Sequence, residues 1–426
     1  PRVCLKPGTA RIRDYVDLTA VHTLDQGYVD YNTPKVLDVL TNLQEKPEMA
    51  RHVHELLEKA ATTGWRPLIG NVSVVEEMLR VRAGGDAASI LTEAQGRAFR
   101  GVPAAPLSLI WGPPGTGKTY MLGHLLLAYL LAARRETRPI RILVTAFAHS
   151  AINNVLSKLA DLLRRYGLAE AGPAVVKVQG NQPHAADQRL PAEVQTVGQK
   201  DLPALLSSDT PGLVVGSTVW GVYNGMKEAG GAVQPWFHVV LIDEASQLKL
   251  ADALLAFSAS RPDGAVILAG DDRQLPPIIH GDYPEEHEHM LSSVFAYMRH
   301  VIEERAKTEP DIEARTIFQL EENFRMSEPL TAYPRDVLYR GQYFTQQPDI
   351  RIATRPELAP DTDDLIDFML YPERPVVLCR YTAPISFTAR NPLEAGLAAR
   401  ITARLADILE RPGVGTVADA DYFAAE

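Results

Sequence analysis

From residue 90 onward, short runs of β-branched residues and leucine alternate with longer stretches whose apolar positions recur every three or four residues. Six runs read as strands: Leu107–Trp111, Ile140–Val144, Val175–Val178, Leu213–Gly216, His238–Ile242 and Ala265–Ala269. Between the second and third, Ile152, Val155, Leu156, Leu159, Leu162 and Leu163 share one helical face. Strands separated by helices are joined by right-handed crossovers, so the pattern predicts an α/β fold on a parallel sheet.

The pattern before residue 89 is different. Thr33-Pro34 makes an N-cap and first turn ahead of Val36, Val39, Leu40 and Leu43. A second helix carries Val53, Leu56 and Leu57, and a third, around Val74 to Val81, stops at Gly84-Gly85. With no catalytic constellation, residues 1–88 are expected to form a mostly helical stalk or accessory region. Two polar stretches, Gly180 to Thr210 and Gly281 to Glu309, read as excursions from the sheet. The second holds His287 and His289, which at a spacing of two do not share a helix face and are expected in a solvated loop rather than a metal site. Another α/β unit begins near Thr316. It offers a strand at Pro375–Leu378 and a helix from Pro392, capped by Asn391, with Leu397, Ile401, Leu405 and Ile408 on one face. The expected division is 1–88, 89–312 and an incomplete 313–426.

Composition narrows the setting without choosing the chemistry. A chain of 426 residues, 46% hydrophobic and 23% charged, is ordinary for a globular protein. The longest apolar run, Met121 to Ala133, is too short to span a bilayer, and it follows a glycine-rich turn, so it reads as a buried helix and no membrane partner is expected. Two cysteines, Cys4 and Cys379, give neither a disulfide framework nor a metal-ligand spacing, which suits a reducing, cytoplasmic location. Pro1 in place of methionine reads as a piece excised from a longer protein. A net charge of −10 argues against coating nucleic acid by overall charge, while leaving room for a local basic groove.

Chemistry concentrates at the ends of the strands. Gly112-Pro113-Pro114-Gly115-Thr116-Gly117-Lys118-Thr119 follows the first strand and opens a helix. Its backbone N–H groups would converge on a phosphate chain, with Lys118 on the terminal phosphates and Thr119 on magnesium. Such a loop needs a carboxylate on a neighbouring strand. Val239-Val240-Leu241-Ile242 ends in Asp243-Glu244-Ala245-Ser246-Gln247, which supplies Asp243 for the magnesium and Glu244 as base for an attacking water. The next strand ends in Gly270-Asp271-Asp272-Arg273-Gln274-Leu275-Pro276-Pro277, where Gln274 is placed to sense the γ-phosphate.

With these three motifs in order, the chain resembles the superfamily 1 helicases, in particular the subclass B branch of nonsense-mediated-decay and senataxin-type enzymes. The resemblance covers about residues 90–409 and implies a P-loop NTPase fold with a RecA-like domain and part of a second. It implies ATP and Mg2+ as cofactors, single-stranded DNA or RNA as partner, and 5′ to 3′ movement. Leu91-Thr92-Glu93-Ala94-Gln95 is similar to the family's Q motif, which implies that Gln95 reads adenine; Thr92-x-x-Gln95 is equally a capping box. Residues 145–154 resemble motif Ia and residues 216–218 motif Ic, which implies backbone contacts from Thr145, His149, Ser150, Asn153 and Thr218. These same residues suit helix capping. Trp220 nearby reads as core.

Residues 320–326 resemble motif IV, which implies that Phe324 stacks on adenine and Arg325 reaches across a cleft to the γ-phosphate. The family's motifs V and VI do not follow. The expectation is therefore a chain that binds ATP at Gly112, Gly115, Thr116, Gly117, Lys118 and Thr119 but hydrolyses it weakly. The alternative is a nucleotide-gated regulatory module, with protein partners in a larger defence or repair complex and no unwinding. An AAA+ ring ATPase shares the loop, but it predicts an Asn or Thr sensor and a helical lid.

Overall fold

The computed structural model describes residues 32–84, 90–169, 173–180, 189–228, 234–278, 288–349, 363–380 and 391–408. One sheet organises it. The strands are β1 (Leu107–Trp111), β2 (Ile140–Ala146), β3 (Ala174–Gln179), β4 (Val194–Gly198), β5 (Gly212–Gly216), β6 (Phe237–Asp243), β7 (Ser260–Gly270) and β8 (Ile317–Gln319). Their spatial order is β4-β3-β5-β2-β6-β7-β1-β8, with every pair parallel. All six expected strands are present. β4 is an addition, inside the stretch expected to leave the sheet. It lies at the edge, where Val194 is buried but Gln195 and Thr196 are exposed, so it lacks the apolar run that marks an inner strand.

Helices cover both faces: α1 (Thr33–Glu45), α2 (Pro47–Lys59), α3 (Val72–Arg82), α4 (Glu93–Gly101), α5 (Lys118–Arg135) and α6 (His149–Arg165). The apolar run of α5 is buried along its whole length, from Met121 to Ala133. It packs with α6 on one face of the sheet, beside Val75 and Leu79 of α3. On the other face, Val39 and Leu43 of α1 and Met49, Val53 and Leu56 of α2 share a core with Leu107, Val240 and Leu268.

Residues 1–88 are expected as a mostly helical stalk or accessory region. In their described part, the apolar stripes of α1 and α2 are buried in the core on one side of the sheet and that of α3 against α5, since a helix with such a stripe has to cover it with another layer. Polar contacts fix the same docking: Asp38 accepts from the Tyr223 hydroxyl and the Lys227 ammonium, both at 2.9 Å, and Trp65 Nε1 donates to the Gly264 carbonyl at 2.8 Å.

The expected boundary lies at 313. β8 pairs with β1 in the register Leu109↔Ile317, Ile110↔Phe318 and Trp111↔Gln319, so residues assigned to a second unit form the edge of the first sheet. Beyond it, Glu322–Asn323 and Phe344–Thr345 make a two-residue parallel pair. No strand follows Thr345 among the described residues. Residues 375–378 are extended but unpaired, with Val376 and Leu378 exposed. The helix Pro392–Ile408 is present, its Asn391 side chain accepting from the Glu394 N–H, and Arg404 pairs with Asp367 of the helix Leu365–Met369.

Cys4, Gly85, His287 and residues 411–426 lie outside the described residues. His289 stacks on Tyr297, and among the described residues no three His, Cys, Asp or Glu side chains group as metal ligands. No described helix is long and apolar enough to cross a membrane.

Candidate functional site

Parallel strands bring their carboxyl ends to one edge, and the expected loop residues gather there. β1 runs into the turn at residues 112–117, where the Gly112 N–H donates to the Gly270 carbonyl at 3.0 Å. Gly115 and Gly117 hold φ of +76° and +69°, which side chains rarely adopt. A Cβ on Gly115 would stand 2.5 Å from Asn323 Oδ1, and one on Gly117 2.8 Å from Gln95 Nε2. The turn needs glycine there. α5 begins at Lys118, so its first, intrahelically unpaired N–H groups belong to the loop, the arrangement that receives phosphate.

Lys118 Nζ lies 2.7 Å from Glu244 Oε1 and 3.4 Å from Asp243 Oδ1. Burial alone would favour the neutral amine, but Asp243 and Glu244 outweigh it and hold Lys118 above the usual lysine range. Asp243 is buried at the end of β6, and Glu244 follows it with φ of +49°, a left-handed conformation unusual for a side-chain-bearing residue. The Glu244 carboxylate faces the loop, where it meets Lys118. Thr119 stands in the first turn of α5. A hydroxyl and a carboxylate are hard oxygen donors of the kind magnesium takes together with substrate phosphates, so Thr119 and Asp243 fit that ion.

β7 lies between β6 and β1 and ends at Gly270, and Gln274 follows four residues later in an exposed position. Gln274 Nε2 donates to Asp271 Oδ2 at 3.0 Å. Gln95 is buried, with both ends of its amide engaged: Oε1 accepts from the Thr92 N–H at 3.2 Å and Nε2 donates to the Thr116 carbonyl at 3.0 Å. The capping box is realised in full. Gln95 here braces the loop, and reading adenine would require exchanging those bonds.

The Phe324 N–H donates to the Gly115 carbonyl at 2.8 Å, and Glu322 accepts from the Thr92 hydroxyl at 2.8 Å and the Ala94 N–H at 3.2 Å. Phe324 and Arg325 are therefore at the loop, both exposed. Arg325 stands beside the loop, its Cβ 2.6 Å from where a Cβ on Gly115 would lie.

The expected nucleic-acid contacts separate. Thr145 is fully buried within β2 and presents nothing to a partner, because its register in an inner strand points it inward. Asn153 is also buried. The Thr218 hydroxyl accepts from the Gly221 N–H at 3.1 Å and caps the helix Val219–Glu228. His149 is half-buried and Ser150 exposed in the first turn of α6. Sequence reasoning missed Phe147, which is 50% exposed in the same turn and packs edge-to-face on half-buried Trp220 at 5.8 Å. It also missed Tyr339 and Tyr343, since neither stands in a motif.

Residues 90–204 match the AAA domain family. A DNA replication ATP-dependent helicase/nuclease of Schizosaccharomyces pombe is 28% identical over 236 residues, 55% of this chain and 14% of that protein. Its namesake in Homo sapiens is 28% identical over 174 residues, 40% and 14% of the two chains. One from Arabidopsis thaliana is 25% identical over 314 residues, 71% and 20%. These likenesses support a superfamily 1 helicase type of chain. The chain spans a fifth or less of these relatives' length. They do not bear on the nonsense-mediated-decay and senataxin-type branch. An arterivirus nonstructural protein 10 helicase solved with DNA aligns over 63% of this chain and 47% of its own, at 15% identity and a TM-score of 0.32, too distant to add to the comparison.

Proposed function

We propose that this chain binds ATP with magnesium at the loop of residues 112–119 and hydrolyses it in response to single-stranded nucleic acid, as the motor core of a helicase or translocase. The carrying observation is the convergence of Lys118, Asp243 and Glu244 within 3.4 Å at the carboxyl edge of the sheet. Lys118 would neutralise the terminal phosphates, and Glu244 would orient the attacking water and take its proton. Magnesium, held by Thr119 and Asp243, supplies charge compensation on the phosphate oxygens. Gln274 and Arg325 would contact the γ-phosphate, and Phe324 would lie against the base. The N-terminus of α6, with His149, Ser150 and the Phe147 ring, would meet the strand's backbone and bases.

The relatives are named for DNA replication, which supports DNA as the strand. The family's polarity supports 5′ to 3′ movement, and a cytoplasmic setting belongs to the same reading. Residues 1–426 carry no motif V or VI, so turnover by this chain alone is expected to be weak. The test is ATP hydrolysis with and without single-stranded DNA or RNA. Glu244→Gln should lower the rate by about 10²- to 10⁴-fold while retaining bound nucleotide. Lys118→Ala should lose binding. A Glu244→Gln protein as active as the parent would remove Glu244 from the role of base.

A further inference from the structure

Asp271, at the end of β7, is completely buried and collects four donors. Oδ1 accepts from Trp111 Nε1 at 3.0 Å and the Arg273 N–H at 3.1 Å; Oδ2 accepts from the Tyr339 hydroxyl at 2.8 Å and Gln274 Nε2 at 3.0 Å. Tyr339 and Tyr343 are buried with ring centroids 5.0 Å apart, and the Tyr343 hydroxyl donates to the Pro114 carbonyl inside the phosphate loop. Trp111, which ends β1 just before that loop, meets Tyr339 edge-on at 5.9 Å. The buried groups thus connect the loop, the strand leading into it and the side chain of Gln274.

We propose that Tyr339 and Tyr343 are positioning residues for γ-phosphate recognition, acting through Asp271 on Gln274 and through Pro114 on the loop. This rests on the nucleotide site described above. A carboxylate only accepts, so Asp271 binds the NH2 end of the Gln274 amide and fixes which way that amide faces. One Gln274 N–H is taken, and the second is left to donate to a phosphate oxygen. The Tyr339 hydroxyl holds Oδ2 in place for that task, and Trp111 holds Oδ1. Tyr343 pins the tip of the loop, so the phosphates and the sensing amide are set by one packed pair of rings. A diphosphate lacks the oxygen that Gln274 would meet, so the effect is specific to triphosphate.

The experiment compares the affinity of the full chain for ADP and for the β,γ-imido analogue of ATP, in Tyr339→Phe, Tyr343→Phe, Gln274→Ala and Lys118→Ala. Both phenylalanine variants keep the rings and should keep the thermal midpoint and ADP affinity. Tyr339→Phe should weaken analogue binding about tenfold, the scale of a hydrogen bond to a charged group, and add little in the Gln274→Ala background. Tyr343→Phe should show a smaller loss of the same kind. Equal losses for ADP and the analogue would mean that the hydroxyls serve only the fold, and would overturn the proposal. Unchanged discrimination in Tyr339→Phe beside a loss in Gln274→Ala would overturn it while leaving the nucleotide site standing. Nucleotide binding untouched by Lys118→Ala would overturn the site and, with it, the proposal.

Discussion

Lys118 is nearly enclosed, and what keeps it charged there is the pair of carboxylates, not solvent. Buried histidines show the opposite balance. Burial drops both His52 and His124 to a pKa of about 4, against 6.5 when exposed. Across that window the unfolded chain holds protons that the folded protein does not, so acid favours unfolding. Each histidine costs about 1.4 kcal/mol of stability per pH unit within it. Urea midpoints should therefore fall from pH 6.5 towards 4, and His124→Gln should flatten that slope even if it lowers stability at pH 7. Positions set by local pattern were legible in the sequence: Gly115, Gly117, Lys118, Asp243 and Glu244 stand within a few residues of a strand end. The surroundings of Asp271 were not, although it was quoted in its motif, because they depend on Tyr339, 68 positions away. The burial of Thr145 was not legible either, since its place in an inner strand decides it and the motif does not.

Among elements, strands buried on both faces were legible because apolar runs leave few other places for them to go. Edge strands were not. β4 is buried only at Val194 and exposed at Gln195 and Thr196, and β8 has only three residues, too few to make a pattern. Residues 375–378 have the composition of a strand and no neighbour to pair with among the described residues, so backbone hydrogen bonding rather than propensity decided the outcome. Packing between elements is close where β5 meets α6. A Cβ on Gly216 would come within 2.4 Å of Leu156 Cδ1 and 2.9 Å of Ile152 Cγ2. Gly216→Ala should destabilise the protein by about 1–3 kcal/mol, seen as a lower urea midpoint at unchanged slope.

For the molecule as a whole, the N-terminal helices belong to the fold that carries the site. Removing residues 1–60 would uncover the apolar surface now covered by Val39, Leu43, Met49, Val53 and Leu56, each worth about 1.5–3 kcal/mol when buried. Such a truncation should express insolubly or lose amide-exchange protection in β6 and β7. Helical periodicity made α1 and α2 legible as helices, but no local pattern says which layer an apolar stripe will cover. The edge strand β8 has a consequence for control. Through it, and through the bond from Phe324 to Gly115, Arg325 travels with the loop it would serve. An arginine mounted in this way would meet a nucleotide in the loop whether or not anything closed over the site. On the proposed function, Arg325→Ala should accordingly cut resting and strand-stimulated hydrolysis by the same factor, leaving the ratio between them as it was.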